Sequence, residues 1–257
     1  MADMRTAYRE HLEAFNRDLL QMCDTVREVM QLASTALLEQ SLEDAEHALN
    51  ASDPLKELKL RCEERSMSLL VLENPVAGDL RQVLSSIYIV ENFSRMGAMA
   101  KHIAKLARLR HPYPVLPNTE HAPVAEMAAR VDEMVSITHD LLLAPDPDVA
   151  VELNAIDEGV DDLHDYLNAI TTSDSWEHSA REAVDVALVS RYYERYADRC
   201  VNVAGRMVFL VTGLNPKEYM KQRDEDAFDR HSKLAAIERR FRSQRRTAST
   251  QRGAPRR

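Results

Sequence analysis

The sequence predicts an all-α protein built from two pseudo-symmetric three-helix bundles and a basic tail. Three observations carry that prediction. Only six of the 257 residues are Gly and 5% are aromatic, while long stretches repeat apolar residues every three or four positions. The segment FSRMGAMA at residues 93–100 aligns with YERYADRC at residues 193–200, and Ile103-Ala104 with Val203-Ala204. A pattern that returns after so long an interval implies two copies of one structural unit. Between the copies, Pro112, Pro114 and Pro117 make a stiff connection and mark a boundary. The expected organisation is a first bundle over residues 1–112, a second over 113–215, and a charged helix with an Arg-rich tail over 216–257.

Helix one is the most regular. Tyr8, Leu12, Phe15, Leu19, Met22, Val26, Val29, Ala33 and Ala36 alternate steps of four and three, the seam of left-handed bundle packing. Its outer face carries Arg5, Arg9, Glu10, Arg17 and Glu28. Ser41 with Asp44 opens helix two. Pro54, with Asp53 before it as a cap, predicts a kink or break there, after which Leu55, Leu58, Cys62, Leu69 and Leu72 continue the apolar side. Helix three is expected over about residues 79–109. Helix four turns Val124, Met127, Val131, Met134 and Leu141 inward, and Asp146-Pro147 opens helix five. There Val149, Leu153, Ile156, Val160, Leu163, Leu167 and Ile170 form a second seam.

Ser173 or Ser175 is expected to cap helix six, which runs to Thr212 and closes on Gly213 in a left-handed cap. Its apolar stripe is Tyr193, Ala197, Cys200, Ala204, Met207 and Val211. Beyond Pro216, residues 217–238 are expected to continue as a charged helix, and residues from Phe241 onward to be disordered and solvated.

Composition removes several function classes. The formal charge is −9, yet residues 239–257 contain eight Arg and no acid, which leaves −17 for residues 1–238. A body that acidic repels nucleic acid, so direct DNA recognition is not expected. The opening segment MADMRTAYREHLEAF lacks the apolar run of a signal peptide, and no run approaches a membrane span. We therefore expect a cytoplasmic protein without a transmembrane segment. Cys23, Cys62 and Cys200 show no Cys-x-x-Cys spacing and read as small buried hydrophobes. None of the nine His follows a Glu at i+3, and His102, His111 and His121 read as surface residues. There is no Gly-rich phosphate loop. No catalytic centre is expected.

The chemistry that the residues do suggest lies in carboxylates. Glu194 and Asp198 stand one turn apart, and Glu194 borders the apolar stripe in line with Ala187, Val201 and Val208. Both could reach one ion, or Arg191 and Arg195 could neutralise them in an ion-pair ladder. On helix five Asp157, Asp161 and Asp165 repeat every four residues, with Asp162 and Asp165 able simply to keep that face soluble.

The segment YERYADRCVNVAGRMVFLVTG resembles the second signature helix of the PhoU family of bacterial phosphate-signalling accessory proteins. Pro75-Val76-Ala77-Gly78-Asp79-Leu80-Arg81 resembles the turn that opens that family's third helix, and the resemblance spans residues 5–215. It implies that Glu194 and Asp198 match the family's metal-binding Glu/Asp-x-x-x-Asp motif and that Asp157 and Asp161 supply the facing acidic pair. An oxygen-only set suits a divalent ion such as Fe, Mn or Mg better than Zn. The first repeat departs from the pattern: Ser94 and Ala98 replace the two acids, Glu91 sits three residues early, and only Asp53 and Glu57 remain on helix two. That bundle is expected to bind metal weakly or not at all.

The resemblance further implies a homodimeric, cytoplasmic negative regulator of the phosphate-starvation regulon and of phosphate uptake. It would act as an adaptor between the ATPase subunit of the high-affinity phosphate ABC transporter and a sensor histidine kinase, without being an enzyme. The rival class is a carboxylate-bridged metalloenzyme or metal-handling bundle using the same four carboxylates.

Overall fold

Helix one folds as α1 (Ala2–Leu38), in a computed structural model that describes residues 2–72 and 77–225, with side-chain surroundings for residues 10–71 and 78–225. Phe15, Leu19, Met22, Val26, Val29, Ala33 and Ala36 are buried along its seam, Leu12 is half-buried, and Glu10, Arg17 and Glu28 face solvent. Tyr8, Arg5 and Arg9 have side chains outside the described residues. Leu19 is fully enclosed, so Leu19→Ala is expected to cost about 2–5 kcal/mol through the cavity it leaves. Thermal unfolding of the variant checks this, and an unchanged midpoint would contradict the seam.

The break foreseen at Pro54 is complete, so helix two becomes α2 (Leu42–Ala51) and α3 (Pro54–Leu72). Ser41 caps α2 through Asp44 N–H, and α3 restarts with Pro at its first position, where a missing N–H costs nothing. Leu55, Leu58, Cys62 and Leu69 point inward from α3. There, Arg61 and Arg65 converge on the buried Asp18 of α1 at 2.9 and 2.7 Å. Next come α4 (Ala77–Arg110), α5 (Asn118–Leu143), α6 (Pro147–Thr171) and α7 (Ala180–Thr212). No strand occurs among the described residues.

Two expected details are corrected. The cap of the last bundle helix is Ser179, in a reciprocal box with Glu182, and neither Ser173 nor Ser175. Ser173 instead donates to the Ile170 carbonyl and pairs with Ser175, so both finish α6. Val149 and Val211 are exposed because each lies in the terminal turn of its helix, beyond the partner helices. Two other caps follow the sequence. Asp146 accepts from the Asp148 and Val149 N–H groups, and Gly213 closes α7 at φ 78°, a left-handed conformation that glycine takes without strain.

The repeat is visible in burial. Phe93, Met96, Ala100, Ile103 and Ala104 are buried on α4 just as Tyr193, Tyr196, Cys200, Val203 and Ala204 are on α7. The helices α4 and α7 pack on each other, and α1 packs on α5, so the two repeats share their central layer. Polar ties cross that layer. Tyr196 donates to the Val26 carbonyl at 3.0 Å, Tyr193 bonds Ser34 at 2.8 Å, and Arg110 grips the buried Asp185 through two bonds of 2.6 and 2.9 Å. A bidentate arginine on a buried carboxylate fixes geometry as well as charge. The connection between the repeats, residues 111–117, buries Val115 and Leu116.

Residues 214–225 belong to a separate unit. Its helix starts at Pro216 under a second reciprocal cap, in which Asn215 accepts from the Glu218 N–H and donates its own N–H to the Glu218 carboxylate. The rest of the expected charged helix and the Arg-rich tail lie outside the described residues.

Candidate functional site

The helices α6 and α7 pack along their length, which brings the acidic faces of both into one groove. Its members are Asp157, Asp161, Glu194 and Asp198. Asp157 is pushed up to about 7, first by burial and then by the charges of Asp161, Asp198 and Glu194. Burial also raises Asp161, and Asp198 adds to it. Glu194 is raised by burial despite the opposing pull of Arg191. The structure therefore assembles all four sequence-predicted residues into one electrostatically coupled cluster. Asp161 is itself exposed, as are Asp162 and Asp165 on the outer face of α6.

The two readings of Glu194 both leave a mark. Arg191 reaches Glu194 Oε1 at 2.6 Å, which is one rung of the ion-pair ladder. The other oxygen, Oε2, is buried without a hydrogen-bond partner, and so is Asp157 Oδ1. A buried unpaired carboxylate oxygen is costly, because it has given up water and gained nothing. The ladder thus leaves half of the cluster unsatisfied. A hard divalent cation fits this donor set, since it bonds oxygen and offsets the mutual repulsion that raises the pKa values. The side chains line a groove and do not close on one point: among the described residues no three His, Cys, Asp or Glu groups meet as a ready-made cage.

The acid–base state of Asp157 makes a stability prediction. The unfolded chain releases this proton near 4 and the folded chain near 7. Between these values the folded state holds more protons, so stability falls as pH rises across that window. Asp157→Asn removes the titration. In metal-free buffer the variant is expected to melt above the wild type at pH 8, by several degrees, and to lose that advantage toward pH 4. Melting curves against pH check this.

The matching groove of the first repeat, between α3 and α4, is chemically different. Glu91 accepts from Lys59 at 2.8 Å and from Arg95 at 2.9 Å, and the Lys59 bond heads the influences that lower its pKa. It is a satisfied ion-pair residue beside a cavity of about 240 Å³ that Lys59, Glu63, Ser66 and Tyr88 also line. Ser94 and Ala98 occupy the turn where α7 carries its two acids. Asp53 and Glu57 are exposed at the start of α3, and among the described residues their carboxylates make no ion pair.

Sequence reading missed one polar pair beside the cluster. His164 on α6 lies 3.0 Å from Ser190 Oγ on α7, and Asn168 Nδ2 lies 2.9 Å from its other ring nitrogen. The Asn168 NH2 group donates to Nε2, so His164 presents Nδ1–H to Ser190, which in turn donates to the Ala187 carbonyl. Burial, reinforced by Arg191, holds the His164 pKa below its ordinary value. A nucleophilic serine needs a histidine that accepts its proton, and this one is wired the opposite way. The signal lay in Asp161 and His164 sharing a face at i and i+3, but no sequence rule linked either to Ser190. The cysteines are similarly inert: burial pushes Cys62 and Cys200 up to about 12 and raises Cys23 as well.

Fold and groove together define an all-helical, two-repeat protein with a carboxylate cluster on its second repeat. The family model described as PhoU domain matches residues 19–107 and again residues 124–207. The chain belongs to the PhoU family. It is 40% identical over 213 residues to phosphate-specific transport system accessory protein PhoU homolog 2 of Mycobacterium tuberculosis, covering 83% of this chain and 100% of that one. Against PhoU homolog 1 of Mycobacterium leprae the identity is 39%, covering 84% and 97%. Among solved structures, PhoU from Pseudomonas aeruginosa superposes with a TM-score of 0.72 at 22% identity, over 80% of this chain and 100% of that chain. The phosphate transport system regulatory protein PhoU from Streptococcus pneumoniae gives 0.71 at 24%, over 81% and 98%.

Proposed function

We propose that the chain is a cytoplasmic, homodimeric, non-enzymatic regulator of phosphate transport that holds the phosphate-starvation response off when phosphate is plentiful. The observation that carries this reading is the 40% identity to a named phosphate-transport accessory protein across that protein's whole length. The chain has no helix long and apolar enough to cross a membrane among its described residues. Its link to a transporter is therefore a docking contact, and the partners in this reading are the ATPase subunit of the phosphate ABC transporter and a sensor histidine kinase.

Within that reading, Asp157, Asp161, Glu194 and Asp198 hold a divalent ion such as Fe, Mn, Mg or Zn. When bound, the ion supplies positive charge that cancels their repulsion and ties α6 to α7, a structural or regulatory task. The first repeat lacks this function because Lys59 and Arg95 already neutralise Glu91.

The adaptor role is tested by co-purification of the full chain with the ATPase subunit and with the kinase from the same cell. Both are expected to be retained at physiological salt, and loss of both would overturn the adaptor part of the reading.

A further inference from the structure

The two central helices carry matching polar stripes on their outer side. On α7, Arg195, Arg199, Asn202 and Arg206 follow at i, i+4, i+7 and i+11, which returns each to the same helix face. Two contacts fix how α4 lies beside them. The guanidinium of Arg206 sits 3.9 Å over the Tyr88 ring, and His102 stacks on Tyr192 with centroids 5.1 Å apart. Both contacts give the same antiparallel register, which places Arg95 opposite Arg199 and Asn92 opposite Asn202. A groove results, with an aromatic contact at each end and four arginines along it.

Its charge is out of keeping with the molecule. Residues 1–238 carry a formal −17, so an arginine on this surface has many acids to choose from. Many cations elsewhere take them: Arg27, Lys59, Arg61, Arg65, Arg108, Arg110, Arg130 and Arg191 are in ion pairs, although among the described residues Arg17, Lys56, Arg81, Lys101, Lys105, Arg181 and Lys217 form no ion pair. Among the described residues, Arg195, Arg199 and Arg206 form none, and Arg199 Nε is buried without any hydrogen-bond partner. The nearby carboxylates Glu194 and Asp198 are coupled to the acids of α6, and Arg195 lies close enough to Glu194 to pull its pKa down against the effect of burial. Three arginines held in line without a direct ion pair, one with an unpartnered Nε, are a surface suited to an anion supplied from outside.

The spacing selects its kind. Arg195 and Arg206 are eleven residues apart, about 16 Å along the helix axis, far beyond the reach of one phosphate or carboxylate. Acidic side chains one and three turns apart on a helix laid along the groove would meet all three. We propose that the α4–α7 groove docks an acidic helical segment of a protein partner through Arg195, Arg199 and Arg206, with Arg95, itself paired with Glu91, on the facing wall. This surface stands on its own geometry and holds whether or not the α6–α7 cluster carries an ion.

The test uses the full chain and a synthetic four-turn helical peptide with Glu one and three turns apart, bearing a photo-cross-linker, alongside its Gln counterpart. The acidic peptide is expected to cross-link to residues 88–102 and 192–206, and Arg195→Glu with Arg206→Glu should weaken binding at least about tenfold. Arg195→Lys with Arg206→Lys should retain most of the affinity, which separates charge from fold should the reversal unfold the protein. Melting midpoints of all variants accompany the titrations. Cross-links confined to the arginine-rich residues 239–257, equal binding of the Gln peptide, unchanged affinity in a folded reversal variant, or full competition by inorganic phosphate would each overturn the proposal.

Discussion

Replacing Glu194 and Asp198 together with Ala is expected to remove most divalent metal from the purified protein, whereas Glu91→Ala is expected to leave the metal content nearly unchanged. The asymmetry follows from what each carboxylate already has. Glu194 spends one oxygen on Arg191 and leaves Oε2 buried and unpaired, and Asp157 across the groove leaves Oδ1 in the same state. An ion at this place would relieve two unsatisfied oxygens and the repulsion among four acids. Glu91 has no such need, because Lys59 and Arg95 satisfy it and lower its pKa. Removing two of four anionic ligands lowers the affinity of a hard-ion site steeply, since charge is its main source of binding. Elemental analysis of the wild type and both variants reads the result. Equal metal in all three would mean that Arg191 and the surrounding water suffice for Glu194, and that regulation proceeds without an ion there.

Proton competition gives the same site a second signature. A carboxyl that titrates near 7 must lose its proton before it can bind a cation, so metal uptake is expected to weaken as pH falls from 8 to 6. Asp157→Asn, which is expected to stabilise the metal-free protein at pH 8, should at the same time weaken uptake. Opposite effects of one substitution on stability and binding are what a preorganised, unpaired ligand produces.

Much of the fold was legible because its signals are local and periodic. The seam of α1 from Phe15 to Ala36, the caps at Ser41 and Asp146, and the left-handed Gly213 each depend on residues within a turn or two. The cap at Ser179 was misplaced because Ser173, Ser175 and Ser179 all satisfy the preference for a short polar side chain. Only the return bond from Glu182 distinguishes the last of them. The seam rule also overreached at Val149 and Val211, since periodicity says which face an apolar residue occupies but not where the partner helix stops.

For the site, sequence spacing was enough to put Glu194 and Asp198 on one face and Asp157 and Asp161 on another. It could not show that burial and mutual charge raise Asp157 to about 7, nor that Lys59, two residues past Glu57, neutralises Glu91. Contacts between residues distant in sequence were invisible for the same reason. Tyr193 reads as a plain stripe residue and Tyr196 falls outside the stripe, yet their hydroxyls tie the second repeat to Ser34 and Val26 of the first. His164 and Ser190, and the register that aligns Arg206 with Tyr88, likewise exist only once α4, α6 and α7 are packed.

The regulatory role is tested most directly by deleting the gene in a strain without a second copy and following a phosphate-uptake reporter in phosphate-rich medium. Reporter expression is expected to rise to the level of a phosphate-starved wild type and to return when the intact chain is supplied. A reporter that stays silent in the deletion strain, with starvation induction intact, would contradict the proposed function.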